Sequence, residues 1–394
     1  MRRHLFRVIL LLGLLGVVSC SPSAGSSATG TAAPAAVGTT EAGTTSATGT
    51  APPEAAGTVV AGTTTPDYGR SLTVMTHDSF SASDDVIAEW EQANKANLRF
   101  LKSGDAGAVL NRAILSKENP LADVLFGVDN TFFSRAIEAG IFEPYQAEGL
   151  DKIASDLRLD PEGRLTPIDF GFVNFNYDKA AFGEGKAALP GTLRDLVKPE
   201  YKGRVVVPSP ATSSPGLAFL LTTVAAFGEN GDYPWTRFWA DLQANDVQIV
   251  DGWETAYFTN FSGSSGKGAQ PIVLSYATSP AAEAFSEAGD LVEPPTANLM
   301  LPGGAFRQIE FAGILKGTEN VELAQSWIDY MIGERFQADI PLQMYVYPAR
   351  TDAPLPEAFE RYAAVPPEPA TLAPDEIARN RERWIQEWTR IVQQ

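Results

Sequence analysis

From residue 70 onward the chain alternates short strand patterns with amphipathic helix patterns, and this alternation constrains the fold more than any other feature. Residues 71–77 (SLTVMTH) predict a strand, and 84–94 predict a helix with Ile87 and Trp90 at helical spacing. A second strand is expected at 98–102, and a second helix at 106–118, with Val109, Leu110, Ala113 and Ile114 on one face. Residues 122–127 predict a buried strand and 131–139 a third helix. Strands alternating with helices at this spacing predict βαβ units and a parallel sheet. After a break near Pro161 and Pro167 the pattern resumes, with strands at 170–177, 204–207, 247–250, 272–276 and 305–311. Helices are expected at 215–227, 323–332 and 374–392. Two such blocks in series predict an α/β protein of two lobes. Ligands of open α/β sheets sit beyond the carboxyl ends of the strands, so the cleft between the lobes is the expected site. Closure about a hinge is the expected motion. The divisions read from the pattern are lobe 1 over 70–167, lobe 2 over 168–300, a return to lobe 1 over 301–340, and C-terminal helices on lobe 2 over 341–394.

The residues before this region follow other rules. The chain opens MRRHLFRVILLLGLLGVVSC, where Arg2, Arg3 and Arg7 precede an apolar run. That run is too short for a hydrocarbon core of about 30 Å, which takes about 20 residues. It reads as a secretory signal peptide over 1–19. The run ends Val17-Val18-Ser19-Cys20, which resembles a bacterial lipobox with Cys20 as the lipidated first residue. An ordinary signal peptide that happens to contain a cysteine is the other reading. Residues 20–69, rich in Thr, Ala, Gly, Ser and Pro, carry too little apolar surface to offset the entropy of ordering. They read as a disordered tether spanning on the order of 40 Å. The expected location is extracytoplasmic: anchored to the cell membrane by a lipid on Cys20, or periplasmic.

Charge and residue counts narrow the function. A formal net charge of −18 argues against nucleic acid, whose phosphates are bound by clustered Lys and Arg. It is compatible with a cationic ligand, although an acid excess also keeps a protein soluble. Cys20 is the sole cysteine, and His4 and His77 are the only histidines. A four-ligand Cys/His zinc site is thereby excluded, as is a disulfide within the chain. A hydrolase would have to be built on Cys20 or His77. No metal or cofactor is expected.

Four segments that follow predicted strands carry candidate binding residues. Thr76-His77-Asp78-Ser79-Phe80 places His77 on a strand-to-helix turn, where its ring can stack on a flat ligand, while Asp78 and Ser79 also suit helix capping. Asp105 and Ala106 open the second helix, so Asp105 either caps it or pairs with a cation. In Thr212-Ser213-Ser214-Pro215-Gly216, Ser214 reads as the N-cap and Pro215 as the first helical residue. Such a start caps a helix and also suits an anion such as a phosphate. Trp253, and Tyr276 with Ala277, Thr278 and Ser279, follow two later strands in polar settings. Aromatic faces attract organic cations by about 0.5–2 kcal/mol each, though any one of them also serves core packing.

Taken together, these segments resemble the thiamine-binding substrate-binding proteins of bacterial ABC transporters. The resemblance runs from about Leu72 to the C-terminus. It rests on the turn at Thr76-His77-Asp78-Ser79-Phe80, on Leu110-Asn111-Arg112, on Ala122-Asp123-Val124 with Gly127-Val128-Asp129-Asn130, and on Asp169 with Tyr177-Asp178-Lys179. Thr212-Ser213-Ser214-Pro215-Gly216, Gly252-Trp253 with Ala256-Tyr257, Leu274-Ser275-Tyr276 onward, and the ending Trp384-Ile385-Gln386-Glu387-Trp388 complete it. It implies a two-lobed type II periplasmic-binding-protein fold with a ligand cleft. It also implies ligand contacts at Asp105, Ala106, Ser213, Ser214, Trp253 and Tyr276-Ala277-Thr278-Ser279. His77 and Tyr345 stand where the family commonly has Tyr and Trp, and a Trp-bearing loop after the first strand is shortened here. The implied function is capture of thiamine or its phosphates by a monomer that delivers them to a permease. The rivals are an iron(III) or polyamine binder, a surface hydrolase using His77, and an adhesin-like protein on a stalk. Iron binders of this broad fold place tyrosine oxygens side by side, and here only Tyr345 and Tyr347 come close. A polyamine needs several carboxylates in the cleft, for which Asp78, Asp105 and Asp129 are the candidates.

Overall fold

Asp84 and Asp85 in the first turn and Val86 and Trp90 on the inner face start and seat helix α1 (Asp84–Asn94). It follows strand β2 (Ser71–Thr76), and a short β1 (Val59–Val60) precedes both. The computed structural model describes residues 59–60, 67–265, 267–286 and 289–393, all within one unit, Gly57–Gln394. The segments expected to be a signal peptide and a tether, with Cys20, lie outside the described residues except for 59–60 and 67–69. Among those described, no helix is long and apolar enough to cross a membrane.

The elements of the first half are β3 (Asn97–Lys102), α2 (Ala106–Leu115), β4 (Val124–Asp129), α3 (Phe133–Glu138) and β5 (Phe142–Glu143). Then come the long β6 (Thr166–Asp178), β7 (Val205–Pro208), α4 (Ser214–Phe227), α5 (Trp235–Ala244), β8 (Gln248–Val250), α6 (Ser262–Ser265), β9 (Ile272–Tyr276) and α7 (Ser279–Ala282). The chain ends with β10 (Thr296–Leu299), β11 (Phe306–Leu315), α8 (Val321–Met331), α9 (Glu334–Gln343), β12 (Tyr347–Pro348), α10 (Glu357–Tyr362) and α11 (Pro374–Val392).

The strands form one sheet in the order β1-β3-β2-β4-β11-β6-β9-β7-β8. Two parallel trios stand at its ends: β3, β2 and β4 in one lobe, and β9, β7 and β8 in the other. Between them, β11 pairs antiparallel with both β4 and β6, and β6 pairs antiparallel with β9. The strands that pass between the lobes are thus β6 and β11. The βαβ reading holds for the two trios, and the middle of the sheet is antiparallel.

The predicted strand at 170–177 is longer at its start, because Pro167 lies inside β6. A proline lacks the N–H that a ladder needs, and it is tolerated where pairing is irregular; the β6–β11 register shifts between Glu310 and Phe311, beside Pro167. Helix α5 was not expected, although Trp235, Phe238, Trp239 and Leu242 form a buried stripe along it. That stripe receives α11, with the rings of Trp239 and Trp388 edge to face at 5.7 Å. The Trp384 indole N–H donates to Glu229 at 3.0 Å. Helix α2 ends at Leu115, short of the expected 118, and its last residue is largely exposed.

Candidate functional site

A carboxylate at the start of α2 does more than cap a helix here. Asp105 is the N-cap of α2 and accepts from Ala106 N–H at 2.7 Å. Its second oxygen, Oδ2, accepts from Trp253 N–H at 3.1 Å, across the gap between the lobes. Close by, Gly107 N–H donates to the Thr212 carbonyl at 3.1 Å. Only glycine permits this approach, since a Cβ on Gly107 would lie 2.8 Å from that oxygen. Ser214 at the start of α4 donates to Asp129 at the end of β4, and Ser79 donates to Glu254 at 3.3 Å. The lobes are therefore in contact, and the cleft is closed.

The far wall is aromatic. Trp253 stacks on Tyr257 with ring centroids 5.2 Å apart and meets Tyr276 edge to face at 6.2 Å. Its indole N–H donates to Ser275 Oγ at 2.8 Å, and Ser275 is in turn hydrogen-bonded to Ser279 Oγ at 2.8 Å. Tyr276 donates its hydroxyl to Gln308 Oε1 at 2.9 Å. Beyond Trp253 the chain makes a π-helical turn, Thr255–Asn260. Such turns are rare and frequent at functional sites.

His77 lies across the cleft from this wall. Its ring rests on Gly127, where a Cβ would come within 2.5 Å of it, and its Nε2 is 3.6 Å from Glu310 Oε1. Among the described residues, no group is hydrogen-bonded to His77 Nε2.

The electrostatics are those of an acid-rich, desolvated pocket. Burial pushes the Asp105 carboxyl up, against the pull of its hydrogen bonds from Trp253 and Ala106. The Ser213 hydroxyl also lowers it, while making no hydrogen bond of ordinary geometry. Burial pushes Asp129 up to about 6, with Ser214 and Thr131 opposing. For His77, burial lowers the pKa, but the charges of Glu310 and Asp105 outweigh it and the net direction is up. Asp169 is raised by burial and then by Glu310 beside it.

Of the expected contacts, the structure brings together His77, Asp105, Ala106, Ser213, Ser214, Trp253, Tyr276 and Ser279. Ser213 and Thr278 each bury a hydroxyl with no partner among the described residues. Ala277 packs its side chain into an apolar cluster with Phe172, Tyr347 and Phe359, and presents backbone groups to Phe172 and Asn298. Tyr345, in the left-handed region at φ 56°, lies half-buried against that same cluster. Asp169, Gln308 and Glu310 were not expected at the site. The available signal was one polar residue at every second position of an apolar strand, in Gln308-Ile309-Glu310.

Among the described residues, no group of three or more His, Cys, Asp or Glu side chains is placed to hold a metal ion. Tyr345 and Tyr347 are both raised by burial, Tyr347 to about 12. A separate cavity of about 330 Å³, lined by Tyr177, Lys179 and Phe182 among others, has no part in the cleft.

Similarity to known proteins identifies the family. Residues 119–367 match the family described as bacterial extracellular solute-binding protein. The thiamine-binding periplasmic protein of Salmonella typhimurium is 32% identical over 82% of this chain and 93% of its own length. That of Escherichia coli is also 32% identical, over 82% of this chain and 93% of its own. A solved structure of a periplasmic thiamin binding protein superposes with a TM-score of 0.69 at 30% identity, covering 82% of this chain and 96% of the other. The fold is the two-lobed type II periplasmic-binding-protein fold, as the sequence leads one to expect. This chain belongs to the bacterial extracellular solute-binding protein family.

Proposed function

We propose that the protein captures thiamine, or a thiamine phosphate, outside the cytoplasm and hands it to an ABC-transporter permease. The observation that carries this reading is the convergence, in one closed cleft, of buried carboxyls with the rings of Trp253 and Tyr276. Thiamine joins a permanently cationic thiazolium to a flat aminopyrimidine, so it needs opposite charge and aromatic faces together. The similarity to proteins named for thiamine supports the same ligand. The start of α4, with the unpartnered Ser213 hydroxyl, suits the ligand's hydroxyethyl oxygen or a phosphate on it. Capture and release need no cofactor, and a monomer suffices. A lipid on Cys20 would keep the domain close to the membrane that holds the permease.

The acids make affinity depend on pH. A bound cation favours ionised carboxyls, so binding releases protons wherever those groups are still partly protonated. Asp129, at about 6, is such a group. Calorimetric titration with thiamine is expected to show threefold to tenfold tighter binding at about pH 7.5 than at about pH 5.5. Equal or reversed affinities would contradict an acid-lined cation site. Stability runs the other way: a carboxyl raised in the folded state stabilises fully below its unfolded pKa, and loses that contribution as pH rises through the folded value. Ligand-free protein therefore gives up the Asp129 contribution as pH climbs through about 6.

A further inference from the structure

The floor of the cleft is made by the two strands that pass between the lobes. Asp169 of β6 and Glu310 of β11 are direct antiparallel partners, and Gly171 and Gln308 are the next pair on the same face. Directly opposed side chains lie close together on one side of a sheet. Glu310 Oε1 accepts from Gln308 Nε2 at 3.2 Å and lies 3.6 Å from His77 Nε2. The Tyr276 ring covers Gly171, where a Cβ would lie 3.2 Å from it. Asp169 thus shares its face with the groups that His77 and Tyr276 approach.

Asp169 is 1% exposed, neither of its carboxyl oxygens accepts a hydrogen bond from a donor group among the described residues, and its polar neighbour is the Glu310 carboxyl. His77 Nε2, in a residue 9% exposed, has no hydrogen-bond partner among them either. No Lys or Arg among the described residues pairs with Asp169 or Glu310. A buried carboxyl left without partners costs stability, and here two acids lie side by side. Burial, and then the Glu310 charge beside it, push the Asp169 carboxyl well above the ordinary carboxylate range, which favours its protonated form. The floor therefore offers an O–H donor beside carboxyl acceptors.

We infer that Asp169, set against Glu310, is the subsite for the aminopyrimidine edge of the ligand, pairing with its amino group and the adjacent ring nitrogen. A carboxyl holding a proton presents a donor next to an acceptor, and the amino group with its neighbouring nitrogen presents the complement. Two parallel hydrogen bonds then satisfy the oxygens that the ligand-free protein leaves unpaired. The thiazolium is left to Asp105, Trp253 and Tyr276. This assignment rests on the thiamine reading and adds the feature by which the site selects the pyrimidine.

The test compares thiamine with 4′-deaminothiamine, which lacks the amino group, by calorimetry on the full chain and its variants near neutral pH. The unsubstituted protein is expected to prefer thiamine at least about tenfold, the worth of one good hydrogen bond. In Asp169→Leu the preference is expected to shrink to within about threefold, with no fall in melting temperature, because an unpaired buried acid is exchanged for an apolar group of similar size. Asp169→Asn, whose amide offers both a donor and an acceptor, is expected to keep most of the preference. If Asp169→Leu unfolds, Asp169→Ala is read in the same way. Tight thiamine binding with no preference in the unsubstituted protein, or an undiminished preference in Asp169→Leu, overturns this inference alone. Binding of neither compound overturns the thiamine reading and this inference with it.

Discussion

Replacing Asp105 by alanine is expected to weaken thiamine binding about a hundredfold, which corresponds to about 2.7 kcal/mol. The magnitude follows from what the carboxyl holds. It caps α2 through Ala106 N–H, and it receives the Trp253 N–H from the other lobe. A hydrogen bond to a charged group contributes about 1.5–3 kcal/mol, and this one forms between lobes. Its loss therefore weakens closure as well as removing negative charge beside the cation. Asp105→Asn removes the charge and keeps an acceptor for only one of the two N–H groups, since Ala106 and Trp253 bond to different oxygens, so a loss of at least about tenfold is expected there. Calorimetry on the two variants measures the loss in each. Unchanged affinity in Asp105→Ala would place the cation elsewhere.

Replacing Trp253 by alanine is expected to weaken binding by about thirtyfold to a hundredfold. The indole lies half-buried between Tyr257 and Tyr276, held by its N–H to Ser275. It is the one tryptophan of seven that is not buried in the core; Trp90, Trp235, Trp239, Trp327, Trp384 and Trp388 all are. A fluorescence change on binding should accordingly come from Trp253. Trp253→Phe keeps an aromatic face, so it is expected to bind within about tenfold of the unsubstituted protein while losing the fluorescence signal. Full fluorescence response in Trp253→Phe would show that the ligand sits against another part of the protein.

Much of this site is legible from sequence because of where its residues lie. Asp105, Ser213, Ser214 and Trp253 occupy turns that follow strands, where polar residues at a helix start announce themselves. Asp169, Gln308 and Glu310 are in mid-strand instead. A polar residue at every second position of a strand is also the mark of a solvated sheet face. Only the antiparallel pairing of β6 with β11 turns that face into a cleft floor, and the pairing joins residues far apart in the chain. The same holds for the fold. Helices α1 and α11 are read correctly because acidic first turns and a regular apolar stripe agree. Helix α5 is obscured by the Gly-Glu-Asn-Gly-Asp-Tyr-Pro run ahead of it, which reads as loop and hides the start of a strongly apolar stripe. Helix α9 is obscured by Pro341 within it.

The nature of the ligand decides the rest. The most direct measurement is calorimetric titration of the full chain, in parallel, with thiamine, iron(III) citrate and spermidine near neutral pH. Sub-micromolar binding of thiamine, about −8 kcal/mol or stronger, with neither of the others binding comparably, is the expected result. Tight binding of iron or spermidine with no heat from thiamine, in protein shown to be folded, would contradict it and leave the solute-binding fold with a different cargo.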